Sequence, residues 1–247
     1  MLILWIMLFS VLGSVGALLT ASIFLLLEKR IKTDVISCLV AYATGTLLAA
    51  ALLGLMPHAL TYLSPLPIFS TLLAGLILFF ALEKLVIWRH CHDMECEVHG
   101  TAGPMILVGD AFHNLVDGVI IAASFIISIP LGIVVGLSVI AHEIPQEVGD
   151  FGILLNGGYS KRRALSLNLL SSICTVPAAI IAYYALDIVH VVIPYVMAIS
   201  AASFLYIALS DLTPELHTKV GVVYALRQFL LMLAGVGTII LVLRIHP

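Results

Sequence analysis

Of the 247 residues, 62% are hydrophobic and 10% charged, and the mean hydropathy is +1.19, far more apolar side chain than one soluble core of this size takes up. A net charge of −3 carried by so few ionisable groups excludes a basic nucleic-acid surface and an acidic tail. The class implied is an integral membrane protein.

The opening stretch, "MLILWIMLFSVLGSVGALLTASIFLLLEKRIK", has an apolar run too long for a signal peptide, with its charges after the run and no small-residue cleavage site. It is expected to be a first spanning helix. Runs long enough to cross about 30 Å of hydrocarbon follow one another at 3–27, 35–57, 67–88, 104–128, 130–156, 164–186, 189–212 and 223–244. Backbone in lipid must be helical or form a closed barrel, and period-2 alternation is absent, so these runs predict eight helices in a single all-α transmembrane domain spanning 1–247. With the N-terminus outside, the cytoplasmic loops carry Lys29, Arg30, Lys32, Arg89, Lys161, Arg162, Arg163 and Lys219, against Arg244 alone on the outer side. That bias predicts both termini outside.

Between the helices the sequence is mostly terse. In the second helix, "GLMPHAL" puts His58 at the outer rim, as a mouth residue or an ordinary interfacial histidine. The loop 89–103 gathers His90, Cys91, His92, Cys96 and His99, a density that suits a weak exchangeable metal site on the cytoplasmic side as well as it suits a plain polar loop. It has no C-x2-C pair and so is not a zinc finger. Cys38 and Cys174 lie in apolar stretches and are expected only to pack, so the four cysteines make no disulfide framework.

The fourth helix, "GDAFHNLVDGVIIAASF", carries Asp110, His113, Asn114 and Asp117 at i, i+3, i+4 and i+7, on one face. The fifth, with "AHEIPQEVGD", carries His142, Glu143, Gln146, Glu147 and Asp150 in a second stripe. The turn near "SIP" between them is too short to separate them, so the two are antiparallel neighbours whose polar faces can meet. A carboxylate at the centre of an inserted helix costs about 2.5–3.5 kcal/mol, so several of them must line a shared interior and share something positive. Protons would serve. Imidazole, carboxylate and amide are also a ligand set for Zn²⁺, Fe²⁺, Mn²⁺ or Cd²⁺, and a poor one for Ca²⁺ or Mg²⁺. Asp110, Glu147 and Asp150 lie nearer the segment ends, where a solvated or structural role weighs as much as a ligating one. Pro145 is expected to kink the fifth helix and free the Ala141 carbonyl. Gly109, Gly118 and Gly149 offer close helix contact. In the seventh helix "FLYIALSDLTPEL" adds Asp211 to the polar interior, while Glu215 can simply face the cytosol.

"HEIPQ" is one residue short of the HExxH of zinc peptidases: the second histidine is Gln146, with Pro145 inside the helix, so a membrane-embedded hydrolase needs ligands from other helices. No Walker A motif and no soluble domain are present, which excludes nucleotide-driven chemistry.

"HNLVDG" with "ASF", then "HEIPQEVGDFGILLNGG" and later "FLYIALSDLTPEL", resemble the ZIP (Zrt- and Irt-like) family of divalent-metal transporters, above all its LIV-1-type branch. The resemblance covers essentially the whole chain. It implies eight helices with both termini outside, zinc uptake towards the cytoplasm with Fe²⁺, Mn²⁺ or Cd²⁺ as further substrates, no organic cofactor, a metal-binding loop between the third and fourth helices, and a homodimer; the compact chain with minimal loops, for its part, points to the cell membrane of a bacterium or archaeon. It also implies a binuclear centre between the fourth and fifth helices. One position would use His113, Asp117, His142 and Gln146; the other would use Asn114, Asp117, Glu143 and Gln146, with Asp211 reaching in. Three positions depart from the branch: Gln146 stands where "HEIPHE" has a histidine, and Ala50 and Gly54 stand before Pro57 where such members carry Asp and His. Beside a metal importer, two other readings stand: the membrane-embedded metal hydrolase, and a metal sensor that does not transport.

Overall fold

The structure, a computed structural model, describes residues 1–24, 29–88, 102–188, 190–218 and 221–245. The loop histidines and cysteines, His90, Cys91, His92, Cys96 and His99, lie outside them. Among the described residues all regular structure is helical, and eight helices are long and apolar enough to cross a membrane: α1 (Leu2–Ile23), α2 (Asp34–Tyr62), α3 (Pro65–Leu82), α4 (Leu107–Ile127), α5 (Ile129–Leu155), α6 (Lys161–Ala185), α7 (Ile193–His217) and α8 (Val222–Arg244).

The helices pack as two groups. In one, α4 lies against α5 and α6, and α1 covers α5, α6 and α4; in the other, α2 lies against α8 and α7, and α3 against α7. The groups meet where α5 and α4 face α2 and α7. In the apolar stretches of α2 and α7, 61% of the residues are buried, against 11% in those of α3 and α8. So α2 and α7 form the inner wall, and α3 and α8 turn their Leu, Phe and Val side chains outward, as lipid-facing helices do.

Local chemistry sets the turns that matter. Ser128 alone separates the helices of α4 and α5; its backbone is extended, and its Oγ accepts from the Leu131 N–H at 3.2 Å while Pro130 occupies the first turn. The far end of α5 closes on Gly157 and Gly158, the latter at φ +83, a conformation that favours glycine. Ser160 then caps α6 by accepting from the Arg163 N–H at 3.3 Å. The expected continuous sixth helix is instead interrupted after Ser172 and resumes at Thr175. Pro177 explains the interruption, since it has no N–H to offer the Ile173 carbonyl, which receives the Val176 N–H instead at 3.2 Å. π-helical turns, another feature no hydrophobic pattern announces, occur at Leu12–Gly16, Ala50–Leu55 and Ile207–Leu212.

Close contact is needed at Gly118, where a Cβ would fall on the Thr175 carbonyl and within 2.9 Å of Ala178 Cβ, so α4 and α6 approach nearly backbone to backbone. Gly109 and Gly149, expected to do the same, have no neighbour within 4 Å of that point.

Candidate metal centre

The stripes on α4 and α5 face each other. His113, Asp117, His142 and Glu143 each offer one ligand atom, and these atoms lie within 4.8 Å of one another. The two Nε2 atoms are 3.1 Å apart. Nε2 of His113 is 3.7 Å from Asp117 Oδ2 and 3.4 Å from Glu143 Oε1; Nε2 of His142 is 3.2 Å and 3.7 Å from the same two oxygens. Asp117, His142 and Glu143 are buried, while His113 keeps some exposure. Nδ1 of His142 lies 2.9 Å from the Ser138 carbonyl, one turn earlier on α5. Donating its proton there leaves Nε2 with a lone pair aimed into the cluster, the arrangement by which proteins orient a ligating imidazole.

These distances fit a metal. Four ligands at the 2.0–2.2 Å typical of zinc to nitrogen or oxygen stand about 3.3 Å apart around a tetrahedron, and the five separations above scatter about that value. Neither oxygen of Asp117 or of Glu143 has a hydrogen-bond partner, although all four are buried. Such carboxylates are costly unless a cation meets them.

Asn114 and Gln146 take a different part. Asn114 Nδ2 and Gln146 Nε2 both donate to Asp110 Oδ1, at 3.0 Å and 3.1 Å, and Asn114 Oδ1 accepts from Thr175 Oγ1 at 2.7 Å. The structure thus groups three members of the first expected ligand set, His113, Asp117 and His142, with Glu143 of the second, and ties the amides to Asp110. Asp211 sits exposed in the π-helical turn Ile207–Leu212. His58 lies half-buried with Nδ1 2.8 Å from the Gly54 carbonyl. The fifth helix runs unbroken through Pro145.

A third helix, unremarked in the sequence, closes the site. Asn168, Ser171, Ser172 and Thr175 of α6 are all buried, and their i, i+3, i+4, i+7 spacing puts them on the face towards α4 and α5. Ser172 Oγ donates to Glu147 Oε1. The only signal of this in the sequence was the spacing of four small polar residues. Thr175→Val, which keeps the shape and deletes the donor to Asn114, is expected to lower unfolding stability by about 0.6 kcal/mol, a loss that denaturant titration in detergent can resolve against the isosteric background.

Comparisons with known proteins agree with this geometry. A family model described as ZIP Zinc transporter matches residues 88–243, a stretch that contains α4 to α7 whole. The chain is 35% identical over 159 residues to "Zinc transporter ZIP10" of Danio rerio, 61% of this chain and 19% of that protein. It is 40% identical over 118 residues to "Metal cation symporter ZIP14" of Mus musculus, 48% of this chain and 24% of that one. With "Zinc transporter ZIP13" of Pongo abelii the identity is 30% over 218 residues, 82% and 65% of the two chains. The match thus spans about a fifth to a quarter of the first two relatives' length. A family model that covers more than half of the chain, and includes both helices of the buried cluster, places this integral membrane protein in the ZIP zinc transporter family.

Proposed function

We propose that the chain imports a divalent transition-metal cation, zinc foremost with Fe²⁺, Mn²⁺ and Cd²⁺ as competing substrates, across a cell membrane towards the cytoplasm. The observation that carries the proposal is the pair of imidazoles and pair of carboxylates at tetrahedral spacing between α4 and α5. Two nitrogens and two carboxylate oxygens suit a borderline ion and neutralise its charge away from lipid. With a negative interior, inward movement of a divalent ion gains about 4.6 kcal/mol per 100 mV, twice the value for a single charge. No nucleotide is then needed.

The same observation weighs against hydrolysis. A catalytic zinc keeps three protein ligands and an open position for water, whereas here four side chains converge, and Glu143, which HExxH chemistry would use as the base, is one of them. Membership of the LIV-1-type branch, termini on the outer side, a homodimer, and a second ion sharing Asp117 with Asn114, Glu143, Gln146 and Asp211 belong to the same proposal. The branch and the second ion are supported by the "HNLVDG" and "HEIPQE" motifs and by the similarity to the mouse cation symporter, and the orientation by the basic residues of the 157–163 turn; the homodimer rests on the family resemblance alone.

Proteoliposomes loaded with a zinc-sensitive dye test it. External zinc should raise the internal signal, and His113→Ala should reduce the initial rate by about tenfold or more. Unaltered influx in that variant, or zinc binding without any influx, would overturn the importer in favour of an ordinary polar interior or a sensor.

A further inference from the structure

A second set of contacts lies about one helical turn from the cluster. Asp110 is three residues before His113 on α4, and Gln146 is four past His142 and three past Glu143 on α5, so both stand on the faces that carry the cluster. They meet there: Gln146 Nε2 donates to Asp110 Oδ1 at 3.1 Å, a bond that runs from α5 to α4. Asp110 is buried and Gln146 half-buried. A carboxamide has two ends of nearly equal size and opposite use. Its oxygen can ligate a cation, its N–H groups repel one, and the terminal torsion is soft enough to offer either. The partner of one end therefore decides what the other does. Asp110 Oδ1 faces two amide nitrogens and accepts from both, and turning Gln146 over would set oxygen against oxygen at that distance. Among the described residues this is the one hydrogen bond that Gln146 makes, so its Oε1 is left uncommitted.

Asn114 is held differently. Its Nδ2 donates to Asp110 Oδ1 at 3.0 Å and also to the Asp110 backbone carbonyl at 3.1 Å, while its Oδ1 accepts from Thr175 Oγ1 at 2.7 Å. Its oxygen is thus engaged by α6, and two of its three anchors do not use the Asp110 side chain. Removing the Asp110 carboxylate would release Gln146 and leave Asn114 in place.

We infer that Asp110 is a positioning residue for the metal centre: by holding the Gln146 nitrogen it presents the Gln146 oxygen, as an uncharged ligand, to the ion held between α4 and α5. Two carboxylates already balance the charge of a divalent ion there, and a neutral donor adds coordination without disturbing that balance. The arrangement is the amide counterpart of the carboxylate that orients a ligating histidine in zinc sites. The inference rests on the metal-binding role proposed above for Gln146 and extends it to a residue which that role leaves out.

Zinc affinity of the full chain in detergent, measured by competition with a fluorescent zinc indicator, tests this as a double-mutant cycle. Asp110→Leu, which removes the acceptor, and Gln146→Ala, which removes the ligand, should each weaken zinc binding about tenfold. The two together should lose no more than either alone, because one acts through the other. Undiminished affinity in either single variant, or losses that multiply to about a hundredfold in the double one, would overturn the inference. Asp110→Asn keeps an oxygen that accepts from both amides and should bind zinc almost as tightly as the unaltered chain; a loss there equal to that of Asp110→Leu would make the charge the active feature and overturn it too. If Asp110→Leu does not fold, Asp110→Ala takes its place in the same cycle. This pattern of affinities in a chain without zinc influx would sink the importer and leave the inference standing, whereas influx together with an affinity indifferent to Asp110→Leu would do the reverse.

Discussion

Asp117→Asn is expected to lower zinc influx about a hundredfold while leaving the metal-free protein no less stable. Oδ2 of Asp117 is the oxygen nearest Nε2 of His142, at 3.2 Å, and it also faces Nε2 of His113 at 3.7 Å, so its charge sits against both imidazoles. Even outer-shell partners of a metal cost 10- to 100-fold in affinity when removed, and a direct ligand stands at the upper end of that range. Stability moves differently. A buried carboxylate without a hydrogen bond is an unfavourable group, and the amide replaces it at the same volume without the charge. Thermal melts in detergent separate the two effects. Zinc at a hundred times its dissociation constant should stabilise the unaltered chain by about 2.7 kcal/mol, and that increment should be absent from Asp117→Asn. An equal zinc-induced increment in both proteins would remove Asp117 from the centre.

The second large effect is expected from Gly45→Val, far from the metal. A Cβ at residue 45 of α2 would fall on the Met232 carbonyl of α8, and one at Gly235 of α8 would fall on the Tyr42 carbonyl of α2. The two backbones touch, and Tyr42 Oη donates to Thr238 Oγ1 at 3.0 Å beside the contact. Overpacking a fitted interface costs about 1–3 kcal/mol, and because the obstacle here is backbone, the upper part of that range applies. The loss falls on the α2–α8 pair, whereas the ligands are on α4 and α5. Gly45→Val should therefore unfold earlier in detergent, while the fraction that remains folded binds zinc as before. Loss of zinc affinity in the folded fraction would show that the α2–α8 seam shapes the centre directly.

The eight-helix count and the opposed stripes were legible because each rests on a rule with little tertiary input. Lipid demands long apolar runs, and "SIP" allows only an antiparallel pair, so His113 and Asp117 had to meet His142 and Glu143. What lay outside that logic depended on a helix that neither stripe names. Asn168, Ser171, Ser172 and Thr175 read as unremarkable until α6 is known to cover α4 and α5. The same cover takes Asp110, Glu147 and Asp150 away from solvent, which position in the segment alone left open. Donor and acceptor choices were equally hidden. Asn114 and Gln146 have amides that suit a metal by composition, yet their N–H groups serve Asp110, a preference set by side-chain geometry and not by spacing.

With Ser128 as the sole residue between the two metal-bearing helices, α4 and α5 are joined almost without slack, and the Ser128 cap and Pro130 stiffen the joint further. The cage is in effect one mechanical part. Any displacement of α4 against the wall of α2 and α7 must carry α5 along, so the four facing side chains of the cluster keep their mutual spacing through it.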